Sequence, residues 1–385
     1  MKILQVIPRF NPKHGGELNV AVNLSRYMVK RGHQVTLLTT DWDIDLEYLE
    51  KVRRDGVEVI LFKAYANLCL FIPSPSMSKW LDRNIKDYDI AHLNGARSYQ
   101  NNLIRKYARK HGVPYVMQAH GSIMRIVERK RIKQLYDWVW GYKVYRDASK
   151  FIALSQSEVE AHKSMGIKES EVLILPNGVD LSEFKDLPVR GEFRKKYGIK
   201  DSEKIVLYLG RLHKSKDIDL LINAFADLSK KQENVKLLLV GPDERYAHIL
   251  EKLVEDLNIK EKTIFTGSVV GREKLSAFID ADVFVNPTFY GFPITFVESC
   301  ICGLPIITTN KGDRLEWMNG KVGYVVDPDK EKLGNAILEI LKDERIKEEF
   351  SKNAEKISQE EFNWEKISKE LELIYLKTKS KDNIG

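Results

Sequence analysis

Short apolar runs alternate with amphipathic stretches from one end of the chain to the other. The runs at 2–8, 34–40, 57–62, 88–93, 114–118 and 150–154 are brief and rich in Val, Ile, Leu or Tyr, a pattern that predicts buried strands. Helical spacing fills most of the gaps, for example 16–31 and 98–111. The first of these helices closes at Arg31-Gly32, a basic last turn followed by a glycine able to take a left-handed conformation. Alternating strand and helix predicts a parallel sheet covered on both faces. The alternation stops near Pro176-Asn177-Gly178, a turn cluster, and the polar, charged segment 182–203 reads as a linker with one short helix. It then restarts, with strands expected at 204–209, 235–240, 262–266, 282–286, 305–308 and 322–326. Helices are expected at 217–231, 243–257, 271–280, 295–302 and 330–342, and the tail from 346 to 380 is helical in composition. Within that tail, Ile367, Leu371, Ile374 and Tyr375 have core-like spacing.

Composition changes this picture little. At 385 residues, 43% hydrophobic and 30% charged, the chain is an ordinary globular protein of two or three domains. A net charge of +7 permits an anionic ligand or a membrane surface without demanding nucleic acid, and no nucleic-acid partner is expected. Three cysteines, Cys69, Cys300 and Cys302, make no disulfide framework and read as buried free thiols of a reducing, cytoplasmic compartment. The N-terminal run ends at Pro8 and reads as a first strand, not a targeting segment. No apolar window approaches the length of a membrane span.

Three strand-to-helix turns carry candidate chemistry, because ligands of open α/β sheets bind beyond the carboxyl ends of strands. After strand 2–8, Gly15-Gly16 opens a helix whose free N–H groups and dipole favour an anion. The turn has neither a dinucleotide fingerprint nor a P-loop, and by itself it is a plain glycine-rich turn. After strand 204–209, Arg211 and Lys216 share one loop, a planar fork and a mobile point charge that suit the two charges of a diphosphate. A solvated basic loop is the alternative. The third turn runs from Tyr290 through Glu298 to Pro305, and Glu298 is the only acid in a very apolar stretch. Thr295 and Glu298 fit a capping box, and the carboxylate equally suits two hydroxyls of a ribose.

Taken together and in order, these segments resemble the family 4 retaining glycosyltransferases, over nearly the whole chain. The likeness rests on Phe10-x-Pro12-x-x-Gly15-Gly16, Arg31-Gly32-His33-x-Val35-Thr36, Asp89-Ile90-Ala91-His92-Leu93-Asn94 and Gln118-Ala119-His120-Gly121. It continues through Leu175-Pro176-Asn177-Gly178-Val179-Asp180 with Phe184, and Gly210-Arg211-Leu212 with Lys216 and the helix from Leu220 to Phe225. Gly291-Phe292-Pro293 through Glu298 to Gly303-x-Pro305 completes it. The resemblance implies the α/β GT-B fold: two Rossmann-like parallel-sheet domains facing a cleft, with a C-terminal helix crossing back to the first. Domain 1–183 would bind acceptor, 184–360 would bind the nucleotide sugar, and 361–385 would pack on the first domain. It implies that Gly15 and Gly16 lie against the donor diphosphate and that Arg211 and Lys216 neutralise it. Tyr290, Gly291, Phe292, Pro293, Ile294 and Thr295 would line the donor, with the last two offering N–H groups to phosphate. Glu298 would hold the ribose, and His120 would sit beside the transferred sugar. The family motif carries two glutamates eight positions apart. Glu298 is the second and Tyr290 stands at the first, which leaves the donor sugar unassigned.

The reaction so implied is transfer from a UDP- or GDP-linked sugar with retention, without metal or cofactor, by a front-face route in which the leaving phosphate helps take the acceptor proton. A glycan or lipid-linked acceptor of cell-surface polysaccharide or glycoconjugate synthesis is expected. Another GT-B enzyme, such as a phosphorylase or epimerase, and a non-catalytic sugar-nucleotide-binding protein remain the alternatives. Segment 122–147 has seven Lys or Arg, three acids and the aromatics Tyr136, Trp138, Trp140, Tyr142 and Tyr145. It reads either as a helix touching the inner membrane face peripherally or as one packing its aromatics into the first domain.

Overall fold

Alternation along the strands sets two apolar faces for each sheet. In a computed structural model that describes residues 1–14, 16–67, 71–123, 130–289, 294–312, 315 and 317–381, the chain divides into two units. The first comprises Met1–Gly178 with Trp364–Gly385, and the second Val179–Asn363.

The first unit holds β1 (Lys2–Val6), β2 (Gln34–Thr40), β3 (Glu58–Phe62), β4 (Ile90–Asn94), β5 (Tyr115–Gln118), β6 (Lys150–Ala153) and β7 (Val172–Ile174). All pair parallel, in the order β3-β2-β1-β4-β5-β6-β7. Leu4, Val6, Leu93 and Met117 enter one apolar core, while Ile3, Ile90, Val116 and Ile152 enter the other. This is the period-2 consequence of a sheet buried on both sides. The second unit holds β8 (Lys204–Leu209), β9 (Val235–Val240), β10 (Thr263–Gly267), β11 (Val283–Asn286), β12 (Ile306–Thr309) and β13 (Gly323–Val326). It is again all parallel, in the order β10-β9-β8-β11-β12-β13, with a core on each face. The expected α/β architecture is the observed one. The strand at Val172–Ile174 was not anticipated, being three residues at a sheet edge and too short for periodicity to register.

One expectation is corrected. Segment 182–203 is no linker but part of the second unit. Phe193 and Ile199 are buried in its core, and Asp280 accepts the backbone N–H of Arg194 at 2.9 Å, so two apolar residues and one capping acid anchor a stretch that is otherwise charged. The tail is two helices, Glu344–Glu361 in the second unit and Trp364–Lys381 in the first. The second of these crosses back onto the helix Gly16–Lys30 and buries Trp364, Ile367, Leu371 and Tyr375. Its outer flank is tied by His33 to Glu372 at 2.8 Å and by Lys379, which donates to Asp89 at 2.7 Å. Gly178 is required by this crossing, because a Cβ there would stand 2.6 Å from the Trp364 ring.

The crossing helix is therefore part of the first unit's core. Leu371→Ala is expected to destabilise that unit by about 2–5 kcal/mol in denaturant titration, and Leu373→Ala, at a position 48% exposed, by less than about 0.5 kcal/mol. Equal effects would contradict the packing described.

Candidate active site

Each sheet has one place where neighbouring strands send their following chains in opposite directions: β1/β4 in the first unit and β8/β11 in the second. Such switch points open a crevice beyond the strands' carboxyl ends.

In the second unit, β8 leads into the loop of Arg211 and Lys216, and β11 leads toward the helix Ile294–Ile301. Asp217, in the left-handed region at φ 49°, binds these loops together. Its carboxylate accepts from the Thr288 hydroxyl and pairs with Lys311 at 2.6 Å. Arg211 is 58% exposed in its side chain and engages both oxygens of Glu244 at 2.9 Å. Burial, and then the Arg211 charge, hold the Lys216 ammonium below its usual range, and no side-chain partner for it is found among the described residues. Arg211 and Lys216 share that loop, with Glu244 the carboxylate that faces them. Glu298 is buried on the helix Ile294–Ile301, where Lys274 donates to it at 2.6 Å. Ile294 and Thr295 open that helix, with Ile294 exposed. Tyr290, Gly291, Phe292 and Pro293 lie outside the described residues, as do Gly15 and Cys69. Cys300 is a free thiol within the core, and burial pushes the Cys302 thiol up to about 12.

In the first unit, Gly16 opens its helix with an exposed backbone, and a Cβ built there meets no atom within 4 Å. Among the described residues nothing crowds that point. His120 ends the β5 turn at φ 50° and Gly121 follows at φ 78°. A left-handed non-glycine residue costs roughly 1–2 kcal/mol and must be held by its surroundings. Glu158 does so, accepting the N–H of Gly121 at 2.6 Å and of Leu154 at 2.7 Å, while His120 Nε2 meets Asn94 Oδ1 at 3.0 Å. Burial depresses the His120 imidazole to about 3, so it is neutral at physiological pH. At the β1/β4 switch point lies a cavity of about 290 Å³, lined by Arg9, Asn11, Glu17, Asn94, Ser98 and Lys133 among others. Its wall is braced by the buried pair Arg97–Asp137 at 2.8 Å, which pins the residues after β4 to segment 122–147. That segment is a helix Lys130–Tyr136, a π-helical stretch Asp137–Gly141 and a helix Tyr142–Arg146, with 124–129 outside the described residues.

The chain matches two family models, "Glycosyltransferase Family 4" over residues 14–183 and "Glycosyl transferases group 1" over residues 189–357. An uncharacterised glycosyltransferase of Methanocaldococcus jannaschii is 26% identical, covering 97% of this chain and 98% of its own. A GDP-mannose-dependent phosphatidylinositol monomannoside mannosyltransferase of Mycolicibacterium smegmatis is 26% identical over 89% of this chain and 90% of its own. Among solved structures, HepE of Anabaena, in complex with UDP and glucose, superposes with a TM-score of 0.77 at 19% identity, covering 97% of this chain and 99% of that one. The lipopolysaccharide glycosyltransferase WaaG superposes at 0.67 and 18% identity, covering 96% and 98%.

Sequence reading passed over Glu158, Asn94, Lys274, Glu244 and Glu17 as site residues. The first four are polar groups with a partner remote in sequence, so only the fold brings each pair together. Glu17 had a local signal, an acid directly after the glycine pair. Burial raises its carboxyl from near 4.5 to about 7, with Arg9 opposing. An acid raised in the folded state binds more protons folded than unfolded across that interval, so its contribution to stability is lost as pH rises. Relative to the wild type, Glu17→Gln is therefore expected to gain melting temperature between about pH 4.5 and 7 and to hold that gain above. A difference independent of pH in thermal melts would contradict a buried acid there.

Proposed function

The chain belongs to the family 4 glycosyltransferases of GT-B fold, and on that footing we propose that it moves a sugar from a nucleotide-diphosphate donor, UDP- or GDP-linked, to a glycan or lipid-linked acceptor with retention at the anomeric carbon. The observation that carries this reading is the loop of Arg211 and Lys216 at the β8/β11 switch point, a pair of cations with one carboxylate to offset them. A diphosphate displaces Glu244 from Arg211 and supplies Lys216 with a partner. The helix start at Ile294 and Thr295 adds N–H groups toward phosphate. Charge builds on the leaving phosphate as the sugar departs, so donors fixed beforehand stabilise the transition state more than the ground state. These cations do the neutralising without a metal. Glu298, its charge supported by Lys274, takes the ribose hydroxyls. His120, being neutral, positions the sugar by hydrogen bonding and adds no charge. The leaving phosphate helps take the acceptor proton on the same face.

The acceptor reading rests on the first unit. Its cavity offers Arg9 and Lys133 beside Glu17, a lining for a hydroxylated, anionic acceptor. Nearby, Asp137, Val144 and Tyr145 are buried, while Leu135, Trp138, Trp140 and Tyr142 are 60%, 76%, 43% and 44% exposed. One side of segment 122–147 thus packs into the unit, and the other presents aromatics with the exposed cations Lys143 and Arg146. Such a face suits an anionic bilayer, where lipid-linked acceptors of cell-surface polysaccharide synthesis reside, at the cytoplasmic side. Among the described residues no helix is long and apolar enough to cross a membrane.

Arg211→Ala and Lys216→Ala are each expected to lower nucleotide release, measured across a panel of UDP and GDP sugars and acceptors, by about 100-fold or more. Unchanged rates in both would remove the assignment. In co-sedimentation with phosphatidylglycerol vesicles, binding is expected at low salt, weakening as salt rises and on Trp138→Ala with Trp140→Ala. No binding at low salt would rule the membrane contact out.

A further inference from the structure

Gln5 of β1 pairs in register with His92 of β4, and Asn94, two residues further along β4, pairs with Gln118 of β5. All four are buried, and their alternation turns them to the face that the crossing helix Trp364–Lys381 covers. Tyr375 of that helix is fully buried, and its hydroxyl lies 2.6 Å from His92 Nδ1 and 3.3 Å from Gln5 Nε2.

The proton positions follow from one anchor. The backbone carbonyl of Val6 can only accept, so the Asn94 atom that faces it at 3.3 Å is the amide nitrogen. That nitrogen also donates to Gln5 Oε1 at 2.9 Å. Asn94 Oδ1 then faces His120, whose Nε2 must carry the hydrogen. Gln5, with its oxygen committed to Asn94, donates through Nε2 to the Tyr375 oxygen, and the single hydroxyl hydrogen of Tyr375 goes to His92 Nδ1. Four hydrogen bonds thus point one way, from His120 to His92, and bonds so aligned polarise one another. His120 Nδ1 is left as a buried acceptor without a partner among the described residues.

We propose that Asn94, anchored by the Val6 carbonyl and by Gln5, is the positioning residue that holds the His120 ring and fixes it as the Nε2–H tautomer with a lone pair on Nδ1, and that Tyr375, by orienting Gln5, lets the C-terminal helix support that acceptor edge. The purpose of this relay rests on the glycosyl-transfer reading, but its existence does not. In ¹⁵N-histidine-labelled full-length protein, the His120 signals, assigned by their absence from His120→Asn, are expected to show a protonated Nε2 and an unprotonated Nδ1. Tyr375→Phe keeps the ring and removes the link between Gln5 and His92. It is expected to bring in the second His120 tautomer and to lower kcat about tenfold, with donor KM within about twofold. Asn94→Asp sets a carboxylate against Nε2–H and is expected to shift His120 toward the doubly protonated form. An Nδ1–H tautomer in the wild type would overturn the proposal. So would a Tyr375→Phe protein that melts earlier while its His120 signals and kcat stay those of the wild type. Correct tautomers in a protein that releases no nucleotide from any donor would support the relay and retire glycosyl transfer instead.

Discussion

Parallel pairing is the constraint from which the rest follows. When every strand of a sheet runs the same way, all carboxyl ends fall on one edge, and the chain must return through helices on the two faces. A gap then opens where the direction of winding changes, once in each sheet here, at β1/β4 and β8/β11. Asn94 ends one of those strands, Gly16 and Glu17 open the helix that follows another, and Arg211 and Lys216 lie in the loop after β8. The site residues are where they are because the topology leaves no other edge for them.

The two gaps are built differently. The second unit concentrates charge: Arg211, Lys274 and Lys311 each pair with a carboxylate that an anion or a hydroxyl can replace or share, and Lys216 has no side-chain hydrogen-bond partner among the described residues. The first unit fixes neutral groups. His120 is locked in an uncommon backbone conformation by Glu158 and Asn94, and the loop beyond is clamped by Arg97 and Asp137. Breaking one member of a buried pair such as Arg97–Asp137 typically costs about 3–5 kcal/mol, so these are rigid fixtures. Exchangeable ion pairs suit the charge of a leaving group, while groups held by buried hydrogen bonds suit recognition of a hydroxylated molecule.

Much of this was legible beforehand. Strands of four to seven apolar residues bounded by turn residues registered almost throughout, because a doubly covered sheet leaves a continuous hydrophobic run. The helices 271–280 and 330–342 were read with their bounds intact, since Gly271 and the capping Asp329 mark their starts. Segment 182–203 misled because its charges outnumber Phe193 and Ile199, and only tertiary packing reveals that those two carry it. Arg211 and Lys216 were readable because chemistry and loop position are local facts. Glu244 and Lys274, their neighbours, were not, since a salt bridge between separate elements has no spacing rule. The row formed by Gln5, His92 and Asn94 did have a signal: polar residues two apart in strands otherwise apolar, which a strand-by-strand reading notices and cannot interpret without register.

The crossing at Phe362–Asn363 also orders events in time. The ribosome makes residues 1–178 first, yet the part of one apolar face that Trp364, Ile367, Leu371 and Tyr375 cover stays open until their helix emerges. The second unit, continuous in sequence, has all of its chain before then. The nascent protein thus carries an exposed hydrophobic surface through most of its synthesis, a surface for chaperones to hold and for proteases to find. Truncation anywhere before Tyr375 leaves part of that surface bare, so the first unit's integrity depends on a helix that the whole second unit separates from the rest of it.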